Sequence, residues 1–191
     1  MYRVVLLVAV CLLGLGEARQ TVPQLSVERY IGRWYQTYAN YWADLFANLP
    51  NPECATADYG VINATYISVR NSNFYTETKE RREIEGYAWL FDANEPGQLK
   101  LQLAGVPVVG DYWVFKLGPV VDNMYQYSLI TDADSLQLFV LARDPVEFME
   151  LYDAEVREYL ELVGFTGQRK EPVLTPHTEA CEYLPPIDQS A

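Results

Sequence analysis

The sequence predicts an all-β protein, an eight-stranded antiparallel up-and-down β-barrel with one C-terminal α-helix packed outside it. Three observations lead to this fold class. Apolar and polar residues alternate with a period of two through most of residues 33–143, and turn-forming residues separate the runs. One stretch of helical spacing follows at residues 145–163. Trp34 begins the first run and Arg143 ends the last, so the two can meet if the strands close into a barrel.

The first eighteen residues have the pattern of a secretory signal peptide. Arg3 precedes an apolar run, and small residues stand at Gly16 and Ala18, the positions that a signal peptidase reads. The run is too short to be a membrane span. We therefore expect residues 19–191 to be one secreted, extracellular domain, with a barrel at about 33–143, a helix at about 145–163 and a tail at 164–191.

The predicted strands follow one another through mostly short connections. They cover residues 33–41, 54–61, 65–70, 84–90, 99–103, 112–117, 125–131 and 136–143, with a polar hairpin arm at 74–80. The 99–103 strand has the cleanest alternation, with three leucines on one face and Lys100 and Gln102 on the other. Residues 41–52 form a long connection that is unusually apolar for a loop.

Residues at the two ends of the predicted barrel indicate how one end is closed. Gly32 permits a close backbone approach where a short helical turn leads into the first strand, and Trp34 takes the first inward position. A guanidinium plane over an indole face forms a favourable cation–π pair. We therefore predict that Arg143 stacks on Trp34, and that Gly32, Trp34 and Arg143 close the barrel without touching a ligand.

A helix is predicted directly after the last strand. Asp144 can cap its N-terminus, Pro145 suits the first helical position and Glu147 completes a capping-box arrangement. Gly164 is a stop signal at the other end. The face expected to pack on the barrel carries Val146, Met149, Tyr152, Val156, Tyr159, Leu160 and Val163.

Two cysteines remain once the signal peptide is removed, Cys54 and Cys181. An even pair in an oxidising compartment predicts one disulfide, which would attach the C-terminal tail to the barrel. His177 is the only histidine and lies in the tail, so no Cys–His pair suggests nucleophilic catalysis. Asn63-Ala64-Thr65 is an acceptor sequence for an N-linked glycan.

Charge and composition exclude some classes of function. The net charge is −12 and no basic stripe is present, so a nucleic-acid partner is not expected. The sequence suggests no cofactor and no metal site. Its fifteen tyrosines must line either a packed core or a cavity.

Several short motifs resemble the conserved regions of the lipocalins, in the same order and spacing over residues 25–183. Within that family the chain is most similar to apolipoprotein D and its invertebrate relatives of the Lazarillo type. It departs from that group at Ala133, where tyrosine is common, and it lacks a second disulfide near this turn, so we expect a looser N-terminal segment. The residues that carry the resemblance are Gly32-Arg33-Trp34-Tyr35, Cys54-Ala55-Thr56-Ala57-Asp58-Tyr59, Ile84-Glu85-Gly86, Tyr112-Trp113, Thr131-Asp132 and Leu141-Ala142-Arg143-Asp144-Pro145.

The resemblance implies a carrier that binds a small hydrophobic ligand, such as a fatty acid, retinoid or steroid, in the barrel. An eight-stranded barrel is wide enough to hold one small ligand. Strand parity nominates Tyr38, Ala88, Leu101, Leu103 and Phe139 as lining residues, Tyr38 only if no bulge intervenes. The resemblance also points to Leu103 and Phe139, and it adds Tyr59 and Tyr112. The alternatives are a pigment carrier for a bilin or carotenoid, and a collapsed core without a cavity.

Apolar connections suggest a second property. Trp42, Phe46, Val106 and Val108 lie in connections that should surround the open end of the barrel. Exposed apolar patches usually mark an interaction surface, so these residues are predicted to contact a membrane, a lipoprotein or a second copy in a weak homodimer. Alternatively, the same loops fold over the opening as a lid. An enzyme that uses a pocket cysteine is not expected, because both cysteines of the mature chain are assigned to the disulfide.

Overall fold

Eight antiparallel strands close into a barrel in the computed structural model, which describes residues 19–47 and 51–187. The predicted signal peptide lies outside the described residues. The barrel strands are β1–β6, β9 and β10, while β7 and β8 form a separate ribbon. In chain order the strands are β1 (Gly32–Ala39), β2 (Thr56–Val61), β3 (Tyr66–Tyr75), β4 (Glu80–Leu90), β5 (Gln98–Leu103), β6 (Gly110–Leu117), β7 (Val120–Val121), β8 (Met124–Tyr125), β9 (Tyr127–Thr131), β10 (Phe139–Ala142) and β11 (Val173–Leu174).

Each barrel strand pairs with its neighbour in the chain, and β10 returns to pair with β1, which closes the barrel. The predicted fold class is therefore confirmed. The strands at residues 65–90 differ from the prediction, because β3 and β4 form one long hairpin around a turn at Thr76–Lys79. Lys79 adopts a positive φ of 59° in that turn. The polar residues at 71–73 therefore continue a strand that the sequence suggested was interrupted.

The register of β1 changes at a bulge. Gln36 pairs with Leu141 and Tyr38 pairs with Val140, so Thr37 is an extra residue on β1. Because side chains alternate between the two faces of a strand, the extra residue turns Tyr38 to the opposite face from Trp34. This reversal determines which β1 residues reach the barrel interior.

The described residues also form four helices, namely α1 (Val27–Tyr30), α2 (Tyr41–Ala47), α3 (Pro145–Leu151) and α4 (Asp153–Leu162). The apolar connection predicted at 41–52 thus begins with a helix, where the Asn40 carboxamide oxygen accepts a hydrogen bond from Ala43 N. The single helix predicted at 145–163 is two helices, interrupted at Tyr152. None of the helices in the described part of the chain is long and apolar enough to span a membrane.

Buried apolar side chains of residues 19–47 and 51–187 form two clusters. The first fills the barrel and the second lies between the barrel wall and α3–α4. The alternation along β10 separates them, since Phe139 and Leu141 belong to the first cluster and Val140 and Ala142 to the second. This separation confirms the predicted packing of a helical segment on the outside of the barrel.

The C-terminal tail folds back over the outer wall. Cys54 and Cys181 form the predicted disulfide, with Cα atoms 5.5 Å apart. The short strand β11 pairs with the end of β1 that β2 leaves unpaired. His177 Nε2 donates to the Gln36 carbonyl at 2.8 Å and its Nδ1 bonds the Tyr183 hydroxyl at 2.7 Å. Burial lowers the pKa of His177, so the ring is neutral near pH 7.

Candidate functional site

One end of the barrel, which we call the floor, is closed by Arg143 and Trp34. The predicted contact is present, with the guanidinium carbon 3.8 Å from the centre of the Trp34 ring. Trp34 is completely buried. Arg143 also holds together the segments that cross this end, because its nitrogens donate to the backbone carbonyls of Arg29, Tyr30, Ile31, Arg33 and Tyr125.

Four hydroxyl groups form a hydrogen-bonded chain inside the barrel near the floor. Tyr30 Oη lies 2.8 Å from Ser128 Oγ and 2.7 Å from Tyr112 Oη. Tyr112 Oη lies in turn 2.9 Å from Tyr59 Oη. The rings of the three tyrosines also pack together, with centroids 5.6–6.5 Å apart. We call these four residues the hydroxyl chain.

Burial determines the charge state of the hydroxyl chain. Burial raises the pKa of Tyr30 to about 12, and it raises the pKa of Tyr59 and Tyr112 still more. The positive charge of Arg143 lowers the pKa of Tyr30 and Tyr59, but burial has the larger effect. Burial also lowers the pKa of Arg143 to about 10, which leaves the guanidinium charged at neutral pH. The floor therefore contains one enclosed cation and a set of neutral phenols.

The residues nominated as pocket lining mostly share the interior cluster. Side chains on five different strands meet there, and Tyr59 and Ala88 are buried within it. Four others pack against the same cluster yet keep part of their surface accessible to solvent: Leu101, Leu103, Tyr112 and Phe139. Inward residues of a fully collapsed core would be covered on all sides. The accessible surface on these four side chains supports a space inside the barrel.

The prediction for Tyr38 as a lining residue needs correction. Its hydroxyl donates to Asp153 Oδ1 at 2.6 Å, and its ring packs near Phe148 in the cluster beneath the outer helices. The bulge at Thr37 is the cause, because it reverses the direction of Tyr38 relative to Trp34. Tyr38 therefore joins β1 to α3 and α4, and we exclude it from the proposed pocket.

The end of the barrel opposite the floor, which we call the mouth, carries apolar side chains on two connections. Alternate connections of an up-and-down barrel share an end, which places α2 and residues 104–109 together there. Phe46 is 61% exposed and Val108 66% exposed, whereas Trp42 and Val106 are half-buried. Arg169 stacks on Trp42 with 5.5 Å from its guanidinium carbon to the ring centre, and so connects α2 to the C-terminal segment.

Sequence reasoning missed three polar groups inside the barrel. Tyr30 lies in the short helix α1, which strand alternation does not detect. Ser26 could have indicated this helix, because serine is a favoured N-cap and its Oγ accepts a hydrogen bond from Arg29 N. Ser128 shares a face of β9 with Ile130, which belongs to the interior cluster, so strand parity could have marked it. Asn73 is buried on the same face of β3 as Val69, and its Nδ2 has no hydrogen-bond partner among the described residues. The amide is therefore a donor available on the inner side of the wall.

Similarity to known proteins agrees with this geometry. The lipocalin-like domain family matches residues 25–166. The chain is 31% identical over 133 residues to the outer membrane lipoprotein Blc of Vibrio cholerae. This alignment covers 70% of this chain and 73% of that protein. The chain is also 30% identical over 155 residues to temperature-induced lipocalin-1 of Arabidopsis thaliana, and this alignment covers 74% of this chain and 75% of that protein.

A solved structure of a biogenic amine-binding protein has the same fold. It superposes with a TM-score of 0.60 at 18% identity and covers 86% of this chain and 89% of that one. The family match extends over most of the barrel and the outer helices, and the curated relatives match at 30% identity or more. The chain therefore belongs to the lipocalin family.

Proposed function

We propose that this protein is a carrier that binds one small hydrophobic molecule inside the barrel, in the manner suggested by its resemblance to apolipoprotein D. The observation that carries the proposal is the set of inward apolar side chains that keep accessible surface, Leu101, Leu103 and Phe139. Transfer of an apolar ligand from water to this surface contributes about 25 cal/mol per Å² buried. Polar groups at the floor and at Asn73 would set the ligand's orientation.

The closed floor supports one route of entry. Arg143, Trp34 and α1 fill one end of the barrel, so a ligand would enter and leave through the mouth.

Catalysis is not part of the proposal. Cys54 and Cys181 are joined in a disulfide, so neither offers the free thiol that a cysteine-dependent lipocalin enzyme requires.

Titration of intrinsic fluorescence tests the carrier proposal. The delipidated protein is titrated with retinol, arachidonate, progesterone, biliverdin and astaxanthin, and we expect saturable one-to-one quenching by at least one of them. The absorbance of the purified protein distinguishes a bilin or carotenoid carrier, because these ligands are coloured. A folded protein with its disulfide intact that binds no member of the panel would contradict the proposal.

A pair of neighbouring substitutions on β4 locates the binding. Ala88 faces the interior cluster, whereas Tyr87 lies on the outer wall against Tyr66 and Trp89. Ala88→Phe should weaken binding at least tenfold because the added ring occupies the space, while Tyr87→Phe should bind as the unmodified protein does. Leu103→Phe is a second blocking variant at a site with accessible surface, if Ala88→Phe fails to fold.

Secretion and glycosylation belong to the same proposal. The signal-peptide pattern at residues 1–18 suggests export, and Asn63 lies exposed in the turn between β2 and β3. Its Oδ1 accepts from Thr65 N at 2.9 Å and Tyr66 N at 3.1 Å, which keeps the side chain at the surface. Expression in eukaryotic cells should give a product in the medium that starts near residue 19. Asn63→Gln should abolish any mass shift produced by a glycan-removing enzyme.

A second candidate property is contact between the mouth and a lipid surface, or a lipoprotein or second copy. Phe46, Val108 and Val109 support it because they expose apolar surface at the end through which a ligand would pass. Val108→Asp with Val109→Asp should reduce co-sedimentation with phosphatidylcholine vesicles and leave ligand affinity in solution unchanged. Unchanged lipid association with altered ligand uptake would favour a lid instead. Sedimentation velocity of the same variant tests for a weak homodimer.

A further inference from the structure

The hydroxyl chain contains more donors than its own bonds can use. Its order is Ser128, Tyr30, Tyr112 and Tyr59, and three hydrogen bonds connect these four hydroxyls. Each hydroxyl carries one proton, so whichever direction the chain adopts, three protons are used within it and one is left. The chain also keeps unused acceptor lone pairs. It can therefore both donate to and accept from a polar group that approaches it.

The free capacity of the chain faces the barrel interior. Tyr112 is joined to hydroxyls on both sides and still keeps accessible surface, and like Leu103 and Phe139 it packs against the interior cluster. Ser128 is completely buried, and Tyr30 is enclosed against Trp34 with their ring centroids 5.1 Å apart. Tyr59 is also buried, but its hydroxyl ends the chain and bonds only Tyr112 among the described residues, whereas the Tyr30 hydroxyl bonds two partners. Tyr112, with its accessible surface, and Tyr59, with its single partner, are thus the members best placed to meet a ligand.

The electrostatics of the floor favour a neutral group over an anion. The Arg143 guanidinium is directed at backbone carbonyls and the Trp34 face, and its nitrogens are engaged there rather than with the hydroxyl chain. Burial raises the pKa of all three phenols even with this cation nearby. A negative charge at this depth is therefore costly, and a ligand carboxylate would meet the same penalty.

We infer that the hydroxyl chain is a recognition site for a neutral oxygen function, an alcohol or a ketone, at the inner end of an apolar ligand. The inference rests on the proposed carrier function and narrows its ligand class. The polar end of the ligand lies against Tyr59 and Tyr112, and the apolar body extends toward the mouth between the leucines of β5 and Phe139. A fatty acid or other carboxylate of the same skeleton binds more weakly because it would place its charge at the floor or reverse its direction.

Matched pairs of ligands test this inference. Retinol is compared with retinoic acid, and 1-hexadecanol with palmitic acid, by displacement of the neutral fluorescent probe N-phenyl-1-naphthylamine at pH 7.5. We expect the alcohol of at least one pair to bind about tenfold or more tightly than its acid. The preference should narrow as the pH falls toward the pKa of the ligand carboxyl, since the acid then becomes neutral.

The double variant Tyr59→Phe with Tyr112→Phe removes the two interior hydroxyls and keeps both rings. It should reduce the preference for the alcohol to about threefold or less, whereas Tyr87→Phe, which removes a hydroxyl from the outer wall, should preserve the preference. Tyr112→Phe alone is the second variant if the double variant does not fold, and it should give an intermediate preference.

The outcomes separate this inference from the carrier proposal. Equal or tighter binding of the acids, or a preference that survives the loss of both hydroxyls, would overturn the inference and leave the carrier intact. Failure of the probe and of all four lipids to bind a folded protein would overturn both.

Discussion

At the scale of single residues, Arg143 is the side chain on which closure of the floor depends most. Five backbone carbonyls accept hydrogen bonds from it, and its plane covers Trp34. The lysine ammonium group is a compact charge with fewer donors and no planar face, so it can neither bond all these carbonyls nor stack on the indole ring. Arg143→Lys should therefore lower the free energy of unfolding by about 2–4 kcal/mol in urea denaturation followed by tryptophan fluorescence.

The control for Arg143→Lys is Arg29→Lys. The Arg29 side chain is exposed and bonds only Asn123 among the described residues, so its replacement should cost less than about 1 kcal/mol. A similar small loss for both variants would show that the floor is held by backbone pairing rather than by the guanidinium.

The hydroxyl chain predicts instability in alkali at the same scale. A phenol whose pKa is raised in the folded state contributes stability that is fully present below its unfolded pKa near 10. This stability is lost as the pH rises through the folded value, about 12 for Tyr30, because the unfolded chain releases protons first. Absorbance at 295 nm should show tyrosines that do not ionise until the barrel unfolds. In Tyr30→Phe that group of late-titrating tyrosines should be smaller; the same number as in the parent would contradict the assignment.

At the scale of elements, the break at Tyr152 changes which residues of the outer helices carry the packing. Phe148 is 1% exposed, whereas Met149, on the face predicted from one continuous helix, is 43% exposed. Phe148→Ala should lower the free energy of unfolding by about 3–5 kcal/mol, because it leaves a cavity between α3 and the barrel. Met149→Ala is the matched control and should cost less than about 1 kcal/mol. The reverse ranking would support one continuous helix.

These elements show what a sequence can and cannot predict. Alternation predicted the number and order of the eight barrel strands and the inward direction of Leu101 and Phe139, because a period of two follows directly from strand geometry. Alternation could not reveal the bulge at Thr37, since one added residue changes the facing of Tyr38 without leaving a pattern of its own. The break at Tyr152 likewise leaves no pattern in the sequence, so the prediction put Met149 rather than Phe148 on the packed face of α3.

The hydroxyl chain was beyond prediction for a different reason. Its members come from α1, β2, β6 and β9, and bonded partners are 53–98 residues apart in the chain. Local periodicity carries no information on which of fifteen tyrosines meet across a barrel. The contact between Trp34 and Arg143 could be predicted because both stand at strand ends that closure must bring together.

The attachment of the C-terminal tail to the barrel should depend on pH through His177. Burial lowers the pKa of His177 below its ordinary value near 6.5. A base with a lowered pKa contributes stability above its unfolded pKa, and this is lost as the pH falls through the folded value. Hydrogen exchange at residues 173–187 should therefore accelerate at pH 5 relative to pH 7.5, after correction for intrinsic rates, while α4 remains protected. Equal protection of the tail at both pH values would mean that its attachment does not depend on His177.

At the scale of the whole molecule, the disulfide and the barrel closure are separate devices. Cys54 and Cys181 are 127 residues apart, so their bond reduces the entropy of the unfolded chain by an amount worth about 5 kcal/mol in the chain-entropy model. Closure itself comes from the pairing of β1 with β10 and from Arg143 on Trp34, and none of these contacts includes the tail. Removal of the bond should therefore lower stability without opening the barrel.

The double variant Cys54→Ala with Cys181→Ala tests this separation. We expect its free energy of unfolding to fall by about 3–5 kcal/mol, while its ligand affinity at 25 °C stays within about twofold of the parent protein. Reduction of the parent with dithiothreitol is the matched control and should give the same loss of stability. A large loss of affinity in a protein that remains folded would show that the tail, held against the outer wall beside β1, also shapes the interior. The interior and the tail would then have to be treated as one cooperative unit, because a change on the outer face of β1 would be reaching the ligand through the strand that carries Trp34.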